Sequence, residues 1–191
     1  MTKVRLEIDE VRIDRPKKRW KLYFMVVAEH PTEADKYMVG IVPKGGVIKL
    51  HPSRNNEFLF HEKDEEGSEG LFVLSREMPD DKHLEVEIYL RHSRQSIRDF
   101  GEVLQDLKNG LGGDAFDIAT DIAGTTSPWL IISKKAVPLI GKVLSKIKDR
   151  DFGVVSASEE FGEEFEKDGE IDRKKPFSGP AELVYTWSVD E

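Results

Sequence analysis

The sequence predicts a mainly β protein, an antiparallel two-sheet sandwich with a helical insertion late in the chain. Three observations carry this. Apolar and polar residues alternate at the period of a half-buried strand in Val4, Leu6 and Ile8, and again in Leu84, Val86, Ile88 and Leu90. Short apolar stretches are separated by turn signals rich in Pro, Gly, Asn and Asp, which favours a sandwich over a parallel sheet. The apolar period then lengthens from 2 to about 3.6 after residue 96.

In chain order, Lys3, Arg5 and Glu7 interleave with the first apolar set. The pattern slips after Asp9 and Glu10, where Val11 and Ile13 take over, and one extra residue predicts a bulge. Trp20 to Ala28 is apolar at nearly every position, so this strand should be central and covered on both faces. A polar turn over Glu29 to Lys36 leads to β character from Tyr37 to Val42. Turns at Pro43 to Gly46 and around Pro52, Asn55 and Asn56 bracket Val47 to His51 and precede Phe58 to His61. The acidic loop Lys63 to Gly70 precedes a strand from Leu71 to Leu74, and Pro79 to Asp81 turns the chain into Leu84 to Leu90. In that strand Glu85, Glu87, Tyr89 and Arg91 form the polar face.

Helical spacing follows. Ile97, Phe100, Leu104, Leu107 and Leu111 fit one helical face, with Ser96 as cap. Asp114 could cap a helix holding Phe116, Ile118, Ala119 and Ile122 and ending at Gly124. Val137, Ile140, Leu144 and Ile147 form another helical stripe, with Pro138 in the first turn. Residues 96–150 therefore read as a predominantly helical insertion within a single domain, 1–191. Strands resume at Phe152 to Ala157 and at Pro180 to Val189, where Leu183, Tyr185 and Trp187 share a face. Between these two strands, Glu159 to Asp172 holds eight acids and one lysine and reads as a solvated loop.

Composition narrows the function. A length of 191 residues suits one well-buried core. The net charge of -8 disfavours nucleic acid as a partner, because that affinity comes from cations displacing phosphate counterions. The chain has no cysteine, which removes disulfides, thiolate metal sites and cysteine nucleophiles and suits a reducing cytosol. The first residues are charged, without the apolar core of a signal peptide. The most apolar window, Trp129 to Ile147, carries four lysines and a proline and is no bilayer span. A soluble, cytoplasmic protein is the expectation.

The stretches His51 to Phe60 and Leu84 to Glu102 resemble parts of a C2 domain, the eight-stranded sandwich known for calcium-dependent membrane docking. His51 to Phe60 is similar to the family's segment in which an Asn-Pro turn and an Asn-Glu pair lead into a Phe-x-Phe strand. Leu84 to Glu102 resembles the alternating strand that runs into an aspartate-presenting loop and then a glycine, here Gly101. Val4 to Ala28 is compatible with the family's opening strand, loop and strand. The resemblance implies a C2-like sandwich, and it makes Gly101 to Leu107 a strand where periodicity alone favours a helix. Both readings of 97–107 stand at this point.

The family's calcium ligands do not carry over. Calcium needs several carboxylate oxygens to replace its water shell. The matching positions hold Leu90, His92 and Arg98, and Asp99, one place off, would be a single carboxylate. In the first loop Asp14 is followed by the cations Arg15, Lys17, Lys18 and Arg19. No metal and no cofactor are expected, and the resemblance implies a calcium-independent domain.

Motifs for catalysis are missing from the linear sequence. Five histidines are scattered without ligand spacing, Gly110 to Gly113 lacks the Lys-Ser/Thr ending of a phosphate loop, and no nucleophile elbow occurs. Glu85 and Glu87 lie on the polar side of a strand, where solvation is the ordinary state. The sharper candidate is the basic segment, with Trp129, Lys134, Lys135, Lys142 and Lys146 as candidate contacts to a protein partner or an anionic membrane. The simpler alternative packs its apolar stripe on the sandwich and turns its lysines to solvent or to the acids of Glu159 to Asp172. The sequence thus points to a non-enzymatic interaction module, against an enzyme whose active site has no linear signature.

Overall fold

The computed structural model of the chain describes residues 2–14, 20–43, 47–49, 57–59, 70–94, 100–112, 117–119, 129–147 and 149–190. Expectations that rest on Asp99, Ser96, the first-loop cations and the acidic loop before Gly70 lie outside these residues.

Two antiparallel sheets form the sandwich. The first is built on β1 (Lys3–Ile13), which pairs along one edge with β14 (Ala181–Asp190), itself paired with β13 (Glu170–Pro176). Along its other edge β1 is shared between β5 (Glu57–Leu59) and β6 (Leu71–Glu77). The expected bulge is present: the β1–β14 register shifts between Ile8 and Glu10. It keeps Ile8 and Val11 both at 0% exposure, which strict alternation would forbid for residues three apart.

The second sheet runs in the order β11 (Arg150–Ser156), β8 (Val86–His92), β2 (Lys21–Glu29), β3 (Lys36–Val42), β10 (Trp129–Ser133) and β9 (Asp117–Ala119), with β4 (Ile48–Lys49) also on β2. A small third pairing joins β7 (His83–Leu84) to β12 (Glu159–Glu160). The sandwich core lies between the two large sheets. Leu6, Ile8, Leu22, Phe24, Val26, Val86, Ile88, Leu183 and Tyr185, all expected inward, are fully buried there. At about 25 cal/mol per Å² of apolar surface removed from water, each large side chain contributes roughly 1.5–3 kcal/mol. The Trp187 indole N–H donates to the Ala157 carbonyl at 2.9 Å and so ties the two sheets together.

A third layer covers the outer face of the second sheet. It consists of α1 (Phe100–Leu111), a 3-10 turn over Lys134–Leu139, and α2 (Ile140–Leu144). Val103, Leu104, Leu107, Ile140, Val143 and Leu144 pack there against Tyr23, Met25, Val27, Val39, Ile41 and Leu130. This explains why β2 is apolar throughout: even positions face the sandwich and odd positions face the helices.

The helix over 100–111 corrects the strand implied by the C2 resemblance. As a strand, 103–107 would bury Gln105 beside Val103 and Leu107, or Asp106 beside Leu104. A helix buries the three apolar residues and leaves Gln105 and Asp106 exposed. Glu102 in its first turn and Lys108 in its last complement the helix dipole.

Four further corrections follow. The strand expected over Leu84–Leu90 breaks at Glu85, so Leu84 belongs to the small pairing with Glu159. Its supposedly polar face is covered at one end, with Tyr89 at 8% and Arg91 at 1% exposure, because the helical layer lies on it. The helix expected after Asp114 is replaced, over its described part, by β9, whose Asp117–Ala119 pairs with Trp129–Ile131; ladder hydrogen bonds to a neighbouring strand override a weak local preference. The acidic stretch Glu159 to Asp172 is ordered as β12, α3 (Glu163–Asp168) and the start of β13, since Phe161, Phe165 and Ile171 fill the sandwich core. Within 96–150, helix thus occupies 100–111 and 134–144, and strands occupy 117–119 and 129–133.

Candidate docking surface and the adjoining groove

The basic segment folds as a strand, a tight turn and a short helix, for local reasons. Pro138 lacks an N–H and disfavours the α region for the residue before it, so the chain coils as a 3-10 turn through Leu139 and becomes α-helical only from Ile140. Ala136, Ile140, Val143, Leu144 and Ile147 turn inward. Val137 is half-buried. The apolar stripe therefore packs on the second sheet, as the simpler reading of the segment expects.

Lys134, Lys135, Lys142 and Lys146 are all exposed. Lys135 and Leu139 are exposed on the 3-10 turn, Lys142 on α2 and Lys146 in the turn that follows it. Leu139, at 47% exposure, is the large hydrophobic residue left in solvent among the described residues. The Lys134 ammonium lies 5.7 Å from the centre of the Tyr37 ring, at cation–π range. The acids of Glu159 to Asp172 do not serve these lysines. Glu159 and Glu164 accept from Arg173 at 2.9 Å each, and Glu166 pairs with Lys82 at 3.3 Å.

Trp129 lies elsewhere. It is 1% exposed and fills the sandwich core from β10, with its ring against Gly40 of β3. A Cβ at Gly40 would sit 2.6 Å from the ring, so only glycine leaves room there. Gly40→Ala is expected to destabilise by about 1–3 kcal/mol through overpacking, checked by chemical denaturation. Binding to any surface partner should be unaffected beyond that loss.

The helical layer is pinned by polar groups whose pairing the sequence did not reveal. Buried Arg91 donates through Nη2 to the carbonyls of Leu144 at 3.1 Å and Asp149 at 3.3 Å, which caps the end of α2. The Asp149 carboxylate accepts from the Tyr23 hydroxyl at 2.7 Å and from the Arg94 backbone N–H at 3.2 Å. Arg91 Nη1 is 3.8 Å from Asp151, a charge contact beyond hydrogen-bond reach.

Beside the turn runs a groove of two adjoining hollows, about 320 and 460 Å³, which share Glu87 and Val137. Tyr37, Glu85 and Ser158 line the first; Tyr89, Pro138 and Asp151 line the second. Tyr37 donates to Glu85, and Tyr89 donates to Glu87 at 2.8 Å. Burial holds both phenols protonated well above their ordinary range. The hydrogen bond Tyr37 donates to Glu85 adds to this at Tyr37, and the charge of Glu87 adds to it at Tyr89. A general base works best with a pKa near the operating pH, and these phenols are moved away from it. The groove offers hydrogen-bonding groups rather than an activated nucleophile.

No grouping of three or more acids and histidines able to hold a metal ion occurs among the described residues. No helix among them is long and apolar enough to cross a membrane.

The architecture these residues build is an antiparallel β-sandwich with a helical layer on one sheet. No protein-family model matches the sequence. No curated protein matches it either. Among solved structures the chain is similar to a Drosophila C2-DSL-EGF1 structure, with 9% identity and a TM-score of 0.39 over 99% of this chain and 67% of that one. A score of that size carries no conclusion about function, and the sandwich stands on its own strand order.

Proposed function

We propose that this chain is a non-enzymatic interaction module that docks, without calcium, on an anionic partner through the exposed face of its helical layer. The partner is a protein with an acidic surface or an anionic membrane. The observation that carries the reading is the row Lys135, Leu139, Lys142 and Lys146. Its three lysines make no ion pair with a described carboxylate, although the chain as a whole is acidic. Elsewhere Lys36, Lys82 and Lys174 are paired with acids. Unpaired cations around one exposed leucine match a surface that supplies negative charge and a shallow apolar layer. A cytoplasmic setting belongs to the same reading, since a chain without cysteine suits a reducing compartment.

Co-sedimentation with vesicles containing anionic lipid tests it. Wild type should bind at low salt, release as salt is added, and bind equally in millimolar calcium and in chelator. Reversing Lys142 and Lys146 to Glu should weaken binding by at least about 2 kcal/mol, at about 1 kcal/mol per cation removed. Stability should stay within about 1 kcal/mol, because exposed charges contribute little. No sedimentation of wild type at low salt would leave an acidic protein as the partner. Equal binding to uncharged vesicles, unaffected by the reversal, would refute the docking surface.

A further inference from the structure

On the opposite side of the molecule, the outer face of the first sheet brings two carboxyl groups to one hydroxyl. Thr186 Oγ1 on β14 lies 2.7 Å from Asp9 Oδ2 and 2.8 Å from Asp172 Oδ1. Asp9 sits at the bulge of β1, and Asp172 lies on β13, so the three groups span three neighbouring strands. A threonine hydroxyl has one hydrogen to donate. Two contacts this short are both hydrogen bonds only if one carboxyl carries a proton of its own and donates it to Oγ1. With both carboxyls ionised, one contact becomes oxygen against oxygen with no proton between them.

We infer that Asp9, Thr186 and Asp172 form a proton-operated clasp across β1, β14 and β13, closed when one carboxyl is protonated and loosened when both are ionised. The bulge is what assembles it. By adding one residue it keeps Ile8 and Val11 in the core and leaves Asp9 free of the inner face.

The surroundings favour the proton on Asp9. Facing it are Asp172 and Glu170 from β13 and Glu7 from β1, all acidic, while β14 presents the Thr186 hydroxyl. Arg5 is engaged with Glu7. From the β6 side Gly70 approaches so closely that a Cβ there would be 2.7 Å from Asp9 Oδ1. The side chains of β5 are outside the described residues. Burial, with smaller contributions from Asp172, Glu7 and Glu170, raises the Asp9 carboxyl to about 6.

The sign follows from linkage. Between its unfolded value and about 6 the folded chain holds a proton that the unfolded chain has lost, so this group's contribution to stability falls as pH rises through that window. His30 and His92 act in the opposite direction over nearby pH, since burial lowers both. The clasp is therefore read from the difference between variants, not from the wild-type profile.

The test is a carboxyl carbon NMR titration of wild type, Asp172→Asn and Thr186→Val, with melting curves of Asp9→Asn. The Asp9 resonance should titrate near pH 6 and move to lower pH both in Asp172→Asn, as a repelling charge is removed, and in Thr186→Val, which takes away the oxygen that accepts the Asp9 proton. Asp9→Asn should melt above wild type at pH 7.5 and converge with it at pH 5. A wild-type midpoint in the ordinary carboxylate range, roughly 4, would overturn the clasp, as would a midpoint unmoved in Asp172→Asn. If Asp9→Asn does not fold, the titrations of the other three proteins decide alone.

Discussion

Truncating Leu144 to Ala lowers stability by about 2–5 kcal/mol, read as a loss of denaturation midpoint without a change in slope. Leu144 is fully buried between α2 and the second sheet, among Ile140, Val143 and Leu107. The cost has two parts: the transfer free energy of the lost methyl groups, and the cavity left where neighbours cannot close in. The carbonyl of residue 144 accepts from Arg91, so the backbone is held in place and collapse is hindered. The upper half of the range is therefore expected. Lys142→Glu, two residues away and exposed, should move the same midpoint by less than about 1 kcal/mol. Equal effects at the two positions would mean that the helical layer is not packed on the sheet.

Asp149→Ala is expected to cost about 1–3 kcal/mol, although it removes no apolar contact. Its carboxylate accepts from the Tyr23 hydroxyl and the Arg94 N–H at a place where Tyr23 is fully buried and Asp149 is 8% exposed. Removing the acceptor takes a hydrogen bond from a buried hydroxyl, and losses of that kind cost about 1–3 kcal/mol. Asp149→Asn keeps an acceptor for one donor and should lose less. Chemical denaturation of the two variants separates lost hydrogen bonding from lost charge. If Ala and Asn behave alike and both cost little, the polar pinning of the helical layer is wrong.

The lysines of the proposed docking surface were legible in the sequence, because they lie along one short segment; the exposure of Leu139 was not. Lysines with no acid among them through residue 148, and apolar residues at helical intervals, suffice to define an inner and an outer face. Trp129 is different: its placement depends on Gly40, 89 positions earlier, whose missing Cβ makes room for the ring. The groove was not legible for the same kind of reason. Glu85 lies in the break before β8, Glu87 on β8 and Asp151 on β11, and the wall of Val137 and Pro138 comes from a turn that folds over from another part of the chain.

What the sequence by itself determined is the set of local periods. Alternation in Val4 to Ile8, the slip at Asp9 and the uninterrupted apolar run of β2 each follow from how a backbone presents side chains, and each is present in the fold. Over 97–107 the sequence left helix and strand open, and packing of Val103, Leu104 and Leu107 on the second sheet decided for the helix. Tertiary structure decided where two periods compete or where charge conceals a core residue. Asp117–Ala119 became a strand because Trp129–Ile131 offered it a hydrogen-bonding edge. The acidic stretch ordered because two phenylalanines and an isoleucine, spaced too irregularly to signal either a helix or a strand, found the open end of the sandwich core. Arg91, polar by sequence, lies at 1% exposure because two carbonyls of the distant segment 144–149 accept its hydrogen bonds. Burial depends on what a neighbour remote in sequence supplies, and no local pattern encodes that neighbour.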